Sequence, residues 1–314
     1  MQIKKPEFWD LKKPSLYSYL LWPLSKIIEI ISWLRIKKKK KFFNIKTICI
    51  GNIYIGGTGK TSLAIKINQI LKNKNIKTCF LKKFYSNQID EVKLLEKNGK
   101  VFLANNRINC LKEAIKENYE YGIFDDGLQD YSIEYNFKIL CFNTLNWVGN
   151  GMVIPAGPLR ENIKKIKNYK FIFINGNLEN LDYIKNTIYK INPTTHIFVG
   201  EYIPTNINQF DLSDKYIVFS GIGNHKTFVE MLKKNNFNII KDFEFPDHYK
   251  YLKKDLDNLI SKSNEMNCKI ITTEKDFVRI DNENFSKIKF VKSELNIQDE
   301  DKLIAAILKL NEKY

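Results

Sequence analysis

Apolar residues recur at helical spacing between Ser15 and Leu34, and this periodicity predicts a helix near the start of the chain. A second face of the same segment is polar and includes Ser18 and Ser25. Pro23 and Lys26 interrupt the apolar run, whereas a membrane-spanning helix needs about 20 mostly apolar residues. We therefore predict an amphipathic helix that does not cross a bilayer. Its apolar positions are Leu16, Leu20, Leu24, Ile27, Ile31 and Leu34.

The role of this helix stays open between two interpretations. It contains Trp22 and Trp33, and the lysine run 37–41 follows it. Aromatic side chains favour the lipid headgroup level and lysines favour anionic lipid, so the helix is suited to lie in a membrane surface. Alternatively, the helix packs on the following domain and the lysine run is solvated. One helix can do both.

Beyond Lys46, short apolar runs alternate with helical patterns such as 63–71. This alternation predicts an α/β fold with mainly parallel sheets. We expect an N-terminal helix over residues 1–44, a first α/β domain over 45–204, a second and smaller α/β domain over 205–295, and a closing helix over 296–314. The runs that predict strands are 47–50, 77–81, 101–104, 122–124, 138–142, 171–175, 196–199, 216–220 and 269–272.

Composition excludes several classes of function. The net charge is +16, which attracts phosphates and anionic lipid as well as nucleic acid. No zinc-finger, helix-turn-helix or aromatic RNA-binding motif accompanies the charge, so we expect no nucleic-acid partner. The cysteines include no CxxC pair, which indicates buried free thiols in a reducing compartment. They are Cys49, Cys79, Cys110, Cys141 and Cys268.

A glycine-rich stretch between a predicted strand and a predicted helix is typical of a phosphate-binding loop. Glycines let backbone N–H groups approach phosphate oxygens, and the start of the helix favours negative charge. Lys60 would reach the β- and γ-phosphates, and the Thr61 hydroxyl would help to hold Mg²⁺. Tyr54 stands where the strict pattern has its first glycine. The residues expected to bind nucleotide are Tyr54, Ile55, Gly56, Gly57, Thr58, Gly59, Lys60 and Thr61.

Two adjacent carboxylates, Asp125 and Asp126, end a short apolar run. Acids at the carboxyl end of a strand position Mg²⁺ in phosphoryl-transfer sites. An Asp-Gly turn would explain the same residues without a ligand. With a phosphate loop upstream, we interpret the pair as metal ligands.

Arginine is rare in this lysine-rich chain and occurs at Arg35, Arg107, Arg160 and Arg279. The planar guanidinium binds phosphate or carboxylate through two parallel hydrogen bonds, which lysine cannot do. We therefore expect Arg160 to contact the nucleotide. A surface ion pair between Arg160 and Glu161 is the alternative.

Other nucleotide-binding classes fit the sequence less well. A small GTPase needs an [N/T]KxD element, and Thr273-Glu-Lys-Asp276 departs from it because its lysine directly precedes the aspartate. Membrane-associated ATPases that position the division site carry an additional lysine where this chain has Ile55. An ATPase switch and a soluble small-molecule kinase nevertheless remain as competing hypotheses.

Six short motifs follow one another between Gly51 and Asp276. They are Gly51-Asn52 with the loop 56–61, Asp125-Asp-Gly-Leu-Gln129, Gly149-Asn-Gly151 with Pro155-Ala-Gly-Pro-Leu-Arg-Glu161, Gly221-Ile-Gly-Asn224, Phe245-Pro-Asp-His248 and Thr273-Glu-Lys-Asp276. In this order they resemble the motifs of the lipid A 4′-kinase (tetraacyldisaccharide 4′-kinase) family. Each motif is weak alone, and their order makes the resemblance specific. The chain departs from the family at 82–86, where Ser-Arg-Gly-Tyr-Gly is usual, at Ile89 and at Asp130.

The resemblance implies a P-loop core and transfer of phosphate from MgATP to the 4′-hydroxyl of a tetraacylated glucosamine disaccharide 1-phosphate. It also implies that Asp90 orients the acceptor hydroxyl, that His248 pairs with Asp90 and that Glu91 helps Asp125 and Asp126 to hold Mg²⁺. We expect a monomer attached peripherally to the cytoplasmic face of a bacterial inner membrane. We interpret His196 as structural and His225 as a surface residue near a turn.

Overall fold

The computed structural model describes residues 5–36, 40–85, 88–176, 180–247, 249–280 and 286–309, without the side chains of residues 35, 36 and 90. Their contacts divide the chain into two units. The first unit runs to Gly200 and resumes at Ile297, and the second unit comprises Glu201–Asn296.

Helices and strands alternate along the described chain. The helices are α1 (Leu16–Ile36), α2 (Lys60–Asn73), α3 (Ile89–Asn98), α4 (Arg107–Lys116), α5 (Leu181–Ile191), α6 (His225–Lys234), α7 (Lys253–Glu265), α8 (Glu274–Phe277) and α9 (Glu300–Leu308). The strands are β1 (Lys46–Gly51), β2 (Thr78–Lys83), β3 (Val101–Ala104), β4 (Tyr121–Asp125), β5 (Phe137–Asn143), β6 (Phe171–Asn175), β7 (His196–Pro204), β8 (Lys215–Ser220), β9 (Asn238–Glu244), β10 (Lys269–Thr273), β11 (Ile288–Val291) and β12 (Ser293–Ile297). Short 3₁₀ turns lie at Glu7–Trp9, Ile163–Asn168 and Ile207–Gln209.

The larger sheet has the order β12-β7-β6-β5-β1-β4-β2-β3 within the described ranges, and neighbouring strands from β1 to β7 are parallel. Its central strands are continuous apolar runs because both faces of a parallel sheet are covered. In the pairing of β1 with β4, Ile50 lies opposite Asp125. The end of β1, where the glycine-rich loop starts, therefore lies beside the two carboxylates.

The predicted α/β class with mainly parallel sheet is confirmed, and each apolar run predicted as a strand overlaps an observed strand. Sequence reasoning did not predict β9, β11 or β12. Strand β9 is mostly exposed or half-buried and has a polar end, so it lacks the continuous apolar run of a central strand.

Helix α1 presents its polar face to the protein and its apolar face outward. Ser18 and Ser25 are buried, whereas Leu16 and Leu20 are 73% and 68% exposed. The Ser25 hydroxyl donates to the Val153 carbonyl oxygen at 2.7 Å. The polar contacts of α1 with the protein thus leave apolar residues such as Leu16 and Leu20 exposed among the described residues. Among the residues that the structure describes, no helix is both long and apolar enough to span a bilayer.

The lysine run after α1 is only partly described, because residues 37–39 lie outside the described ranges. Lys40 forms an ion pair with Glu134 at 2.6 Å. The backbone N–H of Lys41 donates to the Ser132 carbonyl oxygen at 2.9 Å. The end of the run is therefore attached to the first unit.

The histidine and cysteine interpretations have mixed outcomes. Cys49, Cys79, Cys110 and Cys141 are buried free thiols, as predicted, and Cys268 is a half-buried free thiol. The interpretation of His225 as a surface residue was wrong. Its ring is buried because it contacts both β8 and β9, with Nδ1 2.7 Å from the Ser220 hydroxyl and Nε2 2.9 Å from Asp242 Oδ2. His196 stacks on Phe171, with ring centroids 5.6 Å apart.

Two of the second unit's motifs meet at the buried carboxylate of Asp276. This carboxylate accepts from the Gly221 backbone N–H at 3.1 Å and from the Tyr251 hydroxyl at 3.0 Å. Arg279 lies 3.1 Å from the same oxygen, and the Thr273 hydroxyl donates to the other oxygen at 2.7 Å. The order of β11-β10-β8-β9 places the ends of β8 and β10 side by side, which brings these segments together.

We predict that Asp276→Ala destabilises the second unit by about 3–5 kcal/mol, because removing one partner of a buried ion pair leaves its donors without their acceptor. Hydrogen exchange of peptides from β8 and β10 measures this loss. Asp257→Ala, at an exposed position on α7, is the control and should change stability by less than about 0.5 kcal/mol. Equal effects of the two substitutions would show that the network contributes little.

Candidate active site

The glycine-rich loop connects β1 to the first turn of α2. Gly59 precedes the helix with φ +83°, and a Cβ there would lie 2.6 Å from the Asn175 amide nitrogen. Asn52 is buried beneath the loop, and its Nδ2 donates to the Gly56 carbonyl oxygen at 3.3 Å and to the Thr58 hydroxyl at 3.1 Å. The left-handed backbone and the absence of a Cβ explain why glycine stands at residue 59.

Tyr54 and Ile55 form hydrogen bonds with other residues of this chain. The Tyr54 hydroxyl is buried and donates to Asp10 at 2.9 Å. The Ile55 backbone N–H donates to the Pro158 carbonyl oxygen at 2.8 Å. We therefore narrow the expected nucleotide contacts of the loop from 54–61 to Gly56–Thr61.

The two adjacent carboxylates have different partners. Asp125 Oδ2 accepts from the Thr61 hydroxyl at 3.1 Å and from Lys82 Nζ at 2.6 Å. Asp126 has φ +59°, a left-handed conformation that aspartate tolerates better than most residues. Its side chain points to other cations, with Lys60 Nζ 3.9 Å from Oδ1. The change of backbone direction at Asp126 thus separates the environments of the two acids.

Arg160 contacts Asp126. Its Nη1 lies 2.9 and 3.0 Å from the two oxygens of Asp126 and 3.3 Å from Gln129 Oε1. The Arg160 backbone N–H donates to the Ile53 carbonyl oxygen at 2.6 Å, which fixes the residue beside the loop. The alternative of an Arg160–Glu161 surface pair does not hold, because Glu161 is buried and accepts from the Tyr131 hydroxyl.

The charges of this site favour ionised side chains. Burial alone would raise the pKa of Asp126, but the positive charges of Lys60 and Arg160 hold that pKa below its ordinary value. Burial alone would lower the pKa of Lys82, but Asp125 and Glu91 raise it above its ordinary value. Asp126 is therefore an anion and Lys82 a cation at neutral pH.

The arrangement of a glycine-rich loop, a helix start, a lysine and two strand-end acids is chemically suited to phosphoryl groups. The family model described as "LpxK: Tetraacyldisaccharide-1-P 4'-kinase" matches residues 17–312. This chain belongs to the tetraacyldisaccharide 4′-kinase family. The resemblance inferred from the six motifs is thereby confirmed.

Individual relatives agree with this family assignment. The tetraacyldisaccharide 4′-kinase of Pelagibacter ubique is 58% identical, and the match covers 100% of both chains. The corresponding protein of Rickettsia typhi is 33% identical over 97% of this chain and 98% of its own. The crystal structure of LpxK from Aquifex aeolicus in complex with ATP has the same fold, with a TM-score of 0.69 at 21% identity, covering 94% of this chain and 99% of that one.

The side chains near the loop fit a bound Mg²⁺ at Asp125. Its Oδ1 is buried and has no hydrogen-bond partner among the described residues, and the Thr61 hydroxyl lies at the other oxygen. Carboxylate and hydroxyl oxygens are the ligands that Mg²⁺ prefers. No group of three or more His, Cys, Asp or Glu side chains suited to a metal occurs in the described part of the chain.

The remaining predicted residues are only partly placed. Glu91, expected to help hold Mg²⁺, pairs with Lys82 at 2.7 Å. Asp90 lies in the first turn of α3, but its side chain and the whole of His248 lie outside the described residues. Their predicted partnership therefore stays a prediction.

Sequence reasoning missed Lys82 and the supporting role of Asn52. Lys82 was noted only as a departure from the family, and nothing distinguishes one lysine from its neighbours in a chain this rich in lysine. Lys83 stands at the same end of β2, so even the strand-end position does not single out Lys82.

Proposed function

We propose that this chain transfers the γ-phosphate of ATP to the 4′-hydroxyl of a tetraacylated glucosamine disaccharide 1-phosphate, a step of lipid A biosynthesis. The observation that carries the proposal is the phosphate loop of a tetraacyldisaccharide 4′-kinase family member, with Lys60 and Thr61 facing the Asp125–Asp126 pair. Phosphoryl transfer needs positioning and neutralisation of charge more than covalent chemistry. The described residues supply both.

Each side chain has a definite task in this proposal. The backbone N–H groups of Gly56–Thr61 and the start of α2 bind the phosphates. Lys60 neutralises charge on the transferring group, and Asp126 with Arg160 holds Lys60 in place. Asp125 and Thr61 would hold Mg²⁺, which when bound neutralises charge on the β- and γ-phosphates.

We also propose that Asp90 accepts the proton of the acceptor hydroxyl and that His248 tunes it. The support is the family assignment and the position of Asp90 at the start of α3, next to Glu91. Alignment of the acceptor hydroxyl contributes to rate because it converts a bimolecular encounter into a positioned reaction.

We infer further that α1 attaches the protein to the surface of an anionic membrane, which in a lipid A pathway is the cytoplasmic face of the inner membrane. The apolar face of α1 is exposed, and Trp22 and Trp33 on this helix are 48% and 54% exposed. An interfacial helix buries such a face at the boundary between headgroups and acyl chains. The acylated acceptor resides in the same layer.

We predict that Lys60→Ala lowers turnover with ATP and the lipid acceptor at least about 100-fold while the protein stays folded, because a preorganised charge at the transferring phosphate is lost. Acceptor-dependent formation of the phosphorylated lipid is the measurement. Lys74→Ala, at an exposed position after α2, is the control. Near-normal turnover in Lys60→Ala would contradict the phosphate-loop assignment. ATP hydrolysis by the unaltered protein that does not depend on the lipid acceptor would favour an ATPase switch.

We predict that Asp90→Ala and His248→Ala each lower kcat strongly with a smaller effect on ATP binding. If the two residues act as one unit, the double variant is little worse than the more damaged single variant. A double-mutant cycle on lipid phosphorylation measures the coupling. Glu96→Ala, exposed on the same helix as Asp90, is the control, and fully additive losses would show that the residues act separately.

We predict that Leu20→Ser combined with Ile27→Ser weakens binding to anionic vesicles at least about 100-fold, since burying each aliphatic side chain is worth about 1.5–3 kcal/mol. Cosedimentation of the protein with anionic vesicles measures this binding. Val278→Ser, which removes an equally exposed apolar side chain from the second unit, should bind like the unaltered protein. Unchanged binding of the double variant would remove α1 as the anchor.

A further inference from the structure

Lys82 is a buried cation at the candidate active site. Its side chain is 3% exposed, and Nζ lies 2.6 Å from Asp125 Oδ2 and 2.7 Å from Glu91 Oε2. The parallel register of β2 with β4 pairs Leu81 with Phe124, so the next residue of each strand brings Lys82 beside Asp125. Among the described residues, Lys82 is the ion-pair partner of Asp125.

The two carboxylates that Lys82 joins belong to different elements. Asp125 ends β4 and accepts from Thr61 on the nucleotide side. Glu91 lies in the first turn of α3, directly after Asp90. Gln88, the residue before this helix, forms no side-chain capping hydrogen bond. The ion pair of Glu91 with Lys82 connects the first turn of α3 to strand β2, and we call this connection the tie.

We propose that Lys82 is a positioning residue that fixes the first turn of α3, and with it Asp90, relative to Asp125 and the phosphate loop. The inference rests on the proposed function, in which Asp90 serves the acceptor and Asp125 serves the nucleotide. Because Lys82 and Thr61 share Oδ2, the same contact also fixes the orientation of the Asp125 carboxylate. Oδ1 is left as the buried oxygen without a partner among the described residues.

Burial explains why the single ammonium group of Lys82 can fix the position of the first turn of α3. An exposed lysine–carboxylate pair contributes little because water screens it and both side chains stay mobile. A buried lysine between two carboxylates is held in one geometry, and its removal leaves Asp125 buried without its cation. Errors of about 1 Å in the placement of reacting groups cost about 100-fold in rate, so a tie of this kind affects catalysis without touching substrate.

Glu91→Gln and Lys82→Met test the proposal from the two ends of the tie. Glu91 is partly exposed, so Glu91→Gln keeps the buried Lys82–Asp125 pair and removes the negative charge that attracts Lys82 to α3. The controls are Glu96→Gln and Lys97→Met, both at exposed positions later in α3. Hydrogen exchange of the α3 amides, the dissociation constant of MgATP, and kcat with the lipid acceptor are measured for all four variants.

We expect amides in the first half of α3 to exchange about tenfold faster in both test variants and unchanged in both controls. For Glu91→Gln we expect kcat to fall about 10- to 100-fold while MgATP affinity stays within about twofold. Unchanged hydrogen exchange and unchanged kcat in Glu91→Gln would overturn the proposal. A loss of thermal stability with normal kcat would also overturn it, because the Lys82–Glu91 pair would then be purely structural. The exchange measurement uses no acceptor, so absent lipid phosphorylation by the unaltered protein would contradict the proposed function and leave the tie testable.

Discussion

The parallel pairing of β1 with β4 is the constraint on which the candidate site depends. It places Ile50 opposite Asp125, so the chain leaves β1 into the glycine-rich loop beside the carboxylates that follow β4. The pairing of β2 with β4 then adds Lys82 to the same edge. Parallel strands end at a common edge of the sheet, and ligands in such folds bind outside that edge. Residues far apart in sequence thereby become one site.

Electrostatic balance organises this edge. Lys60 and Arg160 surround Asp126, while Lys82 joins Asp125 to Glu91. Each acid has a cation near it, and the phosphates of a nucleotide would add negative charge at a helix start that favours it. Buried charges are tolerated only when they are paired and hydrogen-bonded, so every cation here also constrains the geometry.

Helix α1 contacts the segment that leads to the candidate site through polar side chains. Ser18 and Ser25 pack against the 150–156 segment, which continues to Arg160. Polar side chains face inward because they satisfy backbone groups of that segment, such as the Val153 carbonyl oxygen and the Ala156 N–H. Leu16 and Leu20 face outward and are exposed, which agrees with the proposed attachment of α1 to a membrane surface.

The sequence by itself determined the α/β class, the central strands and the family, and it predicted a phosphate loop with Lys60 and Thr61 and a metal role for the Asp125–Asp126 pair. These depend on local periodicity and short-range spacing, which are visible in one dimension. Only the tertiary structure decided that Asp125 pairs with Lys82, that Asp126 pairs with Arg160, that Glu91 faces Lys82 and that His225 is buried. Charge partners of this kind depend on strand register and burial, and in a chain with many equivalent lysines the sequence carries no mark of which one is enclosed.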